Sequence, residues 1–247
     1  LGYDTVEEYE TKGGFLGATV GRFANRIGKG RFTLNGVTYQ IAKTDGENVC
    51  HGGLVGFDKR IFRATEGENE VTFTRLSPDM EENFPGNLIL AVTFRFAEHT
   101  LTITYRALTD RDTVINFTNH AYFNLAGVCS GKDVLGQELR IAADKYLEVT
   151  PGLIPRKVAD VKGTPFDFTE FKKVGAALPE AEKNEQLRCG NGWYDHNFVL
   201  RGQTGALALA AEMRDPESGR TLEIWTTEPG MQFYGGQGLS DKVESKI

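Results

Sequence analysis

The feature that most restricts this chain is a succession of segments that alternate apolar and polar residues with period two. Glu70 to Leu76, Leu88 to Phe96 and Thr100 to Ala107 carry that pattern and are separated by turn-rich links. A period of two puts successive side chains on opposite faces of a sheet, as strands require. Their spacing of about ten residues is that of an antiparallel meander, and the helical periods that a βαβ fold would place between strands are missing. A β-rich chain of 247 residues is commonly one domain. The expected fold is therefore all-β, a large antiparallel β-sandwich with few short helices, with residues 1–247 as a single domain.

The rest of the chain fits that expectation. Asn35-Gly36 between Arg31–Leu34 and Val37–Ile41 is the strongest local signal, a two-residue link of the type I′ hairpin kind. Further strands are expected at Thr113–Phe117, Glu138–Ile141, Tyr146–Val149, near Leu207 to Met213 and at Thr221 to Thr227. Thr150 to Pro155 and Gly163 to Phe168 read as proline-bearing loops, and Pro179 to Leu187 as a short, solvated helix. The opening Tyr3-Asp4-Thr5-Val6-Glu7-Glu8-Tyr9 shows no evident cap or turn and reads as the middle of a fold.

Composition narrows the class of function. A net charge of −6 argues against a broad nucleic-acid footprint. No apolar run is long enough to span a bilayer, and Leu1-Gly2-Tyr3-Asp4 lacks the basic and apolar regions of a signal peptide. Three cysteines, Cys50, Cys129 and Cys189, have no CxxC spacing, which favours a reducing compartment, the cytoplasm, over a disulfide framework. No membrane or nucleic-acid partner is expected.

The chemistry concentrates in a few strings. Thr118-Asn119-His120-Ala121-Tyr122-Phe123-Asn124 sets a titratable ring among amides and aromatics. That mixture suits a sugar, whose C–H face stacks on a ring while its hydroxyls meet planar donors and acceptors. The alternative is a satisfied core histidine. His51 precedes Gly52-Gly53, glycines that either leave room for a ligand or simply turn the chain. The glycine-rich segment from Gly13 to Gly30 fits neither nucleotide-binding pattern. Within it Asn25 and Arg26 offer an amide and a guanidinium fork to hydroxyl oxygens, or else Arg22 and Arg26 form structural ion pairs. Asp195 adjoins His196; on a strand the two would face opposite ways. His51, His120 and Asp195 include possible zinc-ligand types, without short-range ligand spacing.

Taken together, Gly21-Arg22-Phe23-Ala24-Asn25-Arg26-Ile27, Leu34-Asn35-Gly36, His51-Gly52-Gly53 leading to Gly56-Phe57-Asp58-Lys59, Thr118 to Leu125, Asp195-His196-Asn197-Phe198 and Pro229-Gly230-Met231-Gln232-Phe233-Tyr234 resemble, in order and spacing, the aldose 1-epimerase (galactose mutarotase) family over essentially the full chain. The resemblance implies a galactose mutarotase-like supersandwich that interconverts α and β anomers of hexoses such as glucose and galactose, with no metal and no organic cofactor. It implies His120 as the general acid on the ring oxygen, His51 as a second catalytic imidazole, and Asn25, Arg26, Tyr122, Asp195 and Gln232 as substrate-binding residues. His99 and His196 match no role. The family's base is a glutamate beyond the segment matching Gln232; Glu244 lies too near to take that role, and strands that precede the segment matching Leu1 are also absent, so the sequence reads as a fragment. A non-catalytic carbohydrate-binding protein on the same fold and a hexose-6-phosphate 1-epimerase remain as alternatives. The expected partner is an aldohexose, and the expected assembly a monomer or homodimer.

Overall fold

The structure is a computed structural model that describes residues 1–127 and 130–239, so Cys129 and Glu244 lie outside the described residues. The chain divides into two compact units, residues 17–121 and residues 1–16 with 122–247. Strands dominate both, every pairing of named strands is antiparallel, and the expected fold class is borne out. Among the described residues no helix is long and apolar enough to cross a membrane.

The first unit contains β1 (Thr19–Val20), β2 (Arg26–Ile27), β3 (Arg31–Leu34), β4 (Val37–Gln40), β5 (Val49–Cys50), β6 (Arg63–Gly67), β7 (Glu70–Ser77), β8 (Leu88–Ala97), β9 (Thr100–Thr109) and β10 (Thr118–Asn119). β6 to β9 form the expected meander in sequential order. Leu88, Leu90, Val92 and Phe94 share one face of β8 and pack with Phe57 and Tyr105. The β3–β4 hairpin closes Leu34 on Val37, with φ of 50° at Asn35 and 78° at Gly36, the backbone that a type I′ turn demands. The strand expected at Thr113–Phe117 is not formed. That stretch instead bonds by its backbone to the 22–24 segment, through Asn116 N to Arg22 O (2.9 Å) and Ala24 N to Asn116 O (2.8 Å), and regular pairing begins only at β10.

Arg22 ties this unit together. Its side chain is 2% exposed. The guanidinium donates to Ser77 Oγ (3.0 Å), Ser77 O (2.9 Å), Pro78 O (2.9 Å) and Pro85 O (2.9 Å). Five donors in a planar fork satisfy carbonyls that a neutral side chain would leave bare. Arg22 therefore serves structure through backbone carbonyls rather than through the simple ion pair considered from sequence.

The second unit contains α1 (Val6–Lys12), β11 (Glu138–Ile141), β12 (Ala143–Val149), β13 (Pro155–Asp160), β14 (Lys172–Lys173), α2 (Glu185–Cys189), β15 (Asp195–Leu200), β16 (Ala208–Arg214), β17 (Thr221–Thr226) and β18 (Gly230–Tyr234). Two four-stranded sheets, ordered β14-β11-β16-β17 and β13-β12-β15-β18, share one core that joins Leu139, Ile141 and Ala211 to Tyr146, Phe166, Phe168 and Phe198. Three local expectations need correction. The opening segment does carry a cap: Thr5 and Glu8 form a reciprocal capping box that starts α1. Pro155 begins a strand rather than ending a loop, consistent with proline's tolerance at a first strand position. The region Val174–Lys183 is a 3₁₀ run leading into α2, and it is not merely solvated, because Ala181, Gln186 and Leu187 are buried.

Gln186 matters for His196, which is completely buried between Phe166 and Tyr146. Asp195 N donates to His196 Nδ1 (3.2 Å), leaving Nε2–H to donate to Gln186 Oε1 (3.3 Å). Burial pulls this imidazole down to about 4, so it is neutral in the fold.

Two consequences are testable. Arg22→Met strands several buried carbonyls and should cost about 3 kcal/mol or more, read as a fall in the urea midpoint. Unfolded, His196 takes a proton near its ordinary value of 6.5, and folded only near about 4. The unfolded state thus binds more protons across that window, and folding stability falls as pH drops from 6.5 towards 4. His196→Gln should make that slope shallower in urea titrations at matched pH.

Candidate active site

The residues singled out from sequence fall into two clusters, one in each unit. In the unit of residues 17–121 the cluster is built where the 21–26 and 50–53 segments cross. Gly52 has φ of +93°, and a Cβ there would sit 1.9 Å from Gly21 O. A Cβ on Gly53 would meet Glu82 Oε2 at 2.3 Å, and that carboxylate accepts Leu54 N (2.8 Å) and Val55 N (3.3 Å). The two glycines therefore permit close packing and a tight turn; they do not hold open space for a ligand, as one sequence reading had it.

His51 itself has φ of 55°. Its Nδ1 accepts Asn25 N at 3.1 Å, and β2 pairs with β5 directly beside it, Arg26 opposite Cys50. An Nδ1 that accepts leaves the neutral ring its proton on Nε2. Burial, followed by the nearness of His120 and Arg26, brings the His51 imidazole down to about 4, so at neutral pH it is an uncharged donor.

His120 follows β10, and its backbone is held on both sides: its N donates to Ala18 O (2.9 Å) and its O accepts Gly17 N (3.0 Å). The expectation that it leaves a strand end holds, although the strand is Thr118–Asn119 and not Thr113–Phe117. The His51 and His120 rings stand edge to face with centroids 5.2 Å apart and an interplanar angle of 84°. Both are half-buried, unlike a core histidine such as His196. Two imidazoles from positions 69 apart in number thus meet at one place.

Arg26 completes this cluster. Its Nε donates to Asp45 Oδ2 (2.6 Å) and its Nη1 to Asn25 Oδ1 (3.3 Å). Asp45 realises the ion-pair reading of Arg26. Asp45 went unnoticed in the sequence; only its place in the Asp45-Gly46 turn could have drawn attention to it.

In the other unit, Asp195 and Gln232 lie on neighbouring strands β15 and β18. Asp195 pairs with Tyr234 and Asn197 with Gln232, and Gln232 Nε2 reaches diagonally to Asp195 Oδ1 at 2.7 Å. Burial alternates along β15, so Asp195 and Asn197 face away from the core that takes His196 and Phe198, as the period of two requires. Tyr122 sits edge-on to Tyr234, with centroids 6.0 Å apart. Burial first, then Tyr234 and Asp195, push the Tyr122 phenol well above its ordinary range, so it remains a neutral hydroxyl. Among the described residues Gln232 Oε1 is buried without a hydrogen-bond partner, a polar atom of the kind a bound hydroxyl satisfies. Tyr234 was not proposed from sequence as a site residue, though standing two positions after Gln232 puts it on the same strand face.

Each cluster by itself offers groups that suit polyols. The first supplies two imidazoles, a guanidinium and an amide, the second an amide, a phenol and a carboxylate, and each of these can meet a hydroxyl as donor, acceptor or both. Among the described residues no group of three or more His, Cys, Asp and Glu is placed to hold a metal ion.

Comparison with known proteins agrees with this chemistry. The family described as aldose 1-epimerase matches residues 1–246. Galactose mutarotase of Bos taurus is 41% identical over 247 residues, covering all of this chain and 69% of the relative. Aldose 1-epimerase of Escherichia coli K12 is 37% identical over 242 residues, 97% of this chain and 68% of the relative. Among solved structures, an aldose epimerase homologue from C. elegans superposes with a TM-score of 0.86 at 28% identity, over 98% of this chain and 72% of its own. Galactose 1-epimerase from Lactobacillus acidophilus gives 0.75 at 33% identity, over 87% of this chain and 63% of its own, so the matched region spans less than two thirds of that protein. The chain belongs to the aldose 1-epimerase family.

Proposed function

We propose that this member of the aldose 1-epimerase family interconverts the α and β anomers of aldohexoses such as glucose and galactose by general acid/base opening and reclosure of the ring. The observation that carries the proposal is the pair of half-buried imidazoles, His51 and His120, with ring centroids 5.2 Å apart beside Arg26 and Asn25. Anomerisation needs a proton delivered to the ring oxygen while the anomeric hydroxyl loses one. The hemiacetal then opens to an aldehyde, the C1–C2 bond rotates, and reclosure on the other face returns both protons. Each positioned proton transfer typically contributes about 10² to 10⁴ in rate.

In this scheme His120 is the acid. A histidine ordinarily titrates near about 6.5, which suits giving and retaking a proton at neutral pH. His51, neutral with its proton on Nε2, is a hydrogen-bond donor to the sugar and adds no charge that would oppose protonation of its neighbour. Asn25, Arg26, Tyr122, Asp195 and Gln232 bind hydroxyls, and Gln232 Oε1, buried with no partner among the described residues, supports that role. The base on the anomeric hydroxyl is the family's glutamate, which the resemblance sets beyond the Gln232 segment and which is assigned to no described residue. The proposal extends to action in the cytoplasm as a monomer or homodimer; the cysteine pattern, three without CxxC spacing, supports the compartment.

Polarimetry with fresh α-glucose or α-galactose is the direct test. His120→Asn should abolish most of the protein's acceleration of mutarotation while sugar binding, measured calorimetrically, survives; an unchanged rate overturns the acid assignment. Asp45→Ala frees Arg26 from its carboxylate and should raise KM roughly tenfold, about 1.4 kcal/mol of binding, with a smaller change in kcat.

A further inference from the structure

The outward face of the β14-β11-β16-β17 sheet carries a second constellation that the proposed catalysis does not use. Two adjacent alanines of β16, Ala210 and Ala211, are both buried, and the pairing with β17 shifts between Leu209 and Ala211. This bulge turns Leu209 to the same side as Glu212, opposite the core residues Ala211 and Met213. Across from Leu209 stands Trp225, 53% exposed. Its Nε1–H donates to Glu223 Oε2 at 3.0 Å, and Glu223 pairs across the strands with Glu212.

Beside this row lies a cavity of about 170 Å³, whose lining includes Arg140, Thr169, Arg201, Leu209 and Glu212. Arg140 is held by Glu212, its Nε donating at 2.6 Å, and Arg201 by Asp144, with Nε to Oδ2 at 2.9 Å and Nη2 to Oδ1 at 2.5 Å. Each guanidinium commits two of its five donors to these pairs, and each carboxylate keeps lone pairs to spare.

The balance of charge selects the occupant. An anion would meet Glu212, Glu223 and Asp144, and a cation would meet Arg140 and Arg201. A neutral ligand with many hydroxyls meets neither penalty, since it donates to the carboxylates and accepts from the guanidiniums. Its apolar C–H face has Leu209 to lie against, with the exposed Trp225 ring paired across the strands from Leu209, a neighbour of the kind amphipathic aromatics make. At about 170 Å³ the cavity falls below the roughly 300 to 1,000 Å³ that holds drug-sized ligands, so the occupant is monosaccharide-sized.

We propose that Arg140, Arg201, Leu209 and Glu212, with Trp225 beside Leu209 on the next strand, form a second, non-catalytic binding site for a neutral pyranose sugar. It lies across the sandwich core from Asp195 and Gln232, whose sheet faces the other way. Occupancy of this site therefore does not require the catalytic residues.

The test uses methyl glycosides of glucose and galactose, which cannot open and so cannot be anomerised. The chain has two tryptophans, Trp193 and Trp225; labelled with 5-fluorotryptophan, it should show two ¹⁹F resonances, the one missing from Trp225→Phe belonging to Trp225. The expected result is a saturable shift of the Trp225 resonance with either methyl glycoside and none with sodium phosphate. Arg140→Met combined with Arg201→Met should weaken that Kd roughly tenfold or more, with the polarimetric rate unchanged. Should the double variant unfold, seen as collapse of the Trp193 signal, Glu212→Gln keeps the side-chain shape and should weaken binding in the same direction. A stationary Trp225 resonance overturns the proposal. So does a shift driven by phosphate, which makes the site anionic in preference, or by protein concentration alone, which makes the face a contact between copies. Failure here leaves the His120 result untouched, because the methyl glycosides report no catalysis.

Discussion

The crossing of the Gly21–Arg26 and Cys50–Gly53 segments is the constraint on which the first unit depends. It is so close that Gly52 must lack a side chain, and the imidazole of His51 takes part by accepting the backbone N–H of Asn25. One contact thereby settles three things at once: where the His51 ring lies, which nitrogen carries its proton, and where Asn25 and Arg26 begin. Arg22, between Gly21 and that hydrogen bond, spreads its guanidinium over the carbonyls of the 77–85 segment and locks the crossing to the meander. A hydrogen bond from a charged donor to a buried carbonyl is among the stronger polar interactions available to a fold, and it stiffens the frame that aims the two histidines.

In the second unit the governing rule is alternation. Along β15 the core takes His196, Phe198 and Leu200, and the opposite face takes Asp195 and Asn197. A shift of one residue would bury the carboxylate and expose the imidazole. The buried histidine is then satisfied by Gln186 and by its neighbour's N–H, which makes it a neutral piece of the core, while the same ring type at 51 and 120 is left half-buried, ring against ring.

Arginine shows the same division of labour. Arg22 is wholly enclosed and bonded to backbone; Arg26 bonds to Asp45 and Asn25; Arg140 and Arg201 stand at an open cavity, each paired with a carboxylate. The guanidinium is identical in each case. Burial and the partner's identity decide whether it is locked into the frame of the fold or left at an open surface.

Much of this was legible in the residues alone. Period-two runs define the meander, Asn35-Gly36 the hairpin, and the ordered motifs the family, because each depends on local chemistry or on strings that survive intact in the chain. The opposite facing of Asp195 and His196 follows from strand geometry by itself. Less visible were the Thr5 and Glu8 cap, present as a four-residue pattern but unheeded, and the strand at Pro155–Asp160, masked by its leading proline. Tertiary structure alone decided that Gly52 and Gly53 fill with backbone and carboxylate instead of a ligand, that Asp45 seats Arg26, and that a bulge sets Leu209 beside Trp225. These outcomes are contacts between segments far apart in number. They depend on which groups fill the space around a residue, and no local pattern encodes that.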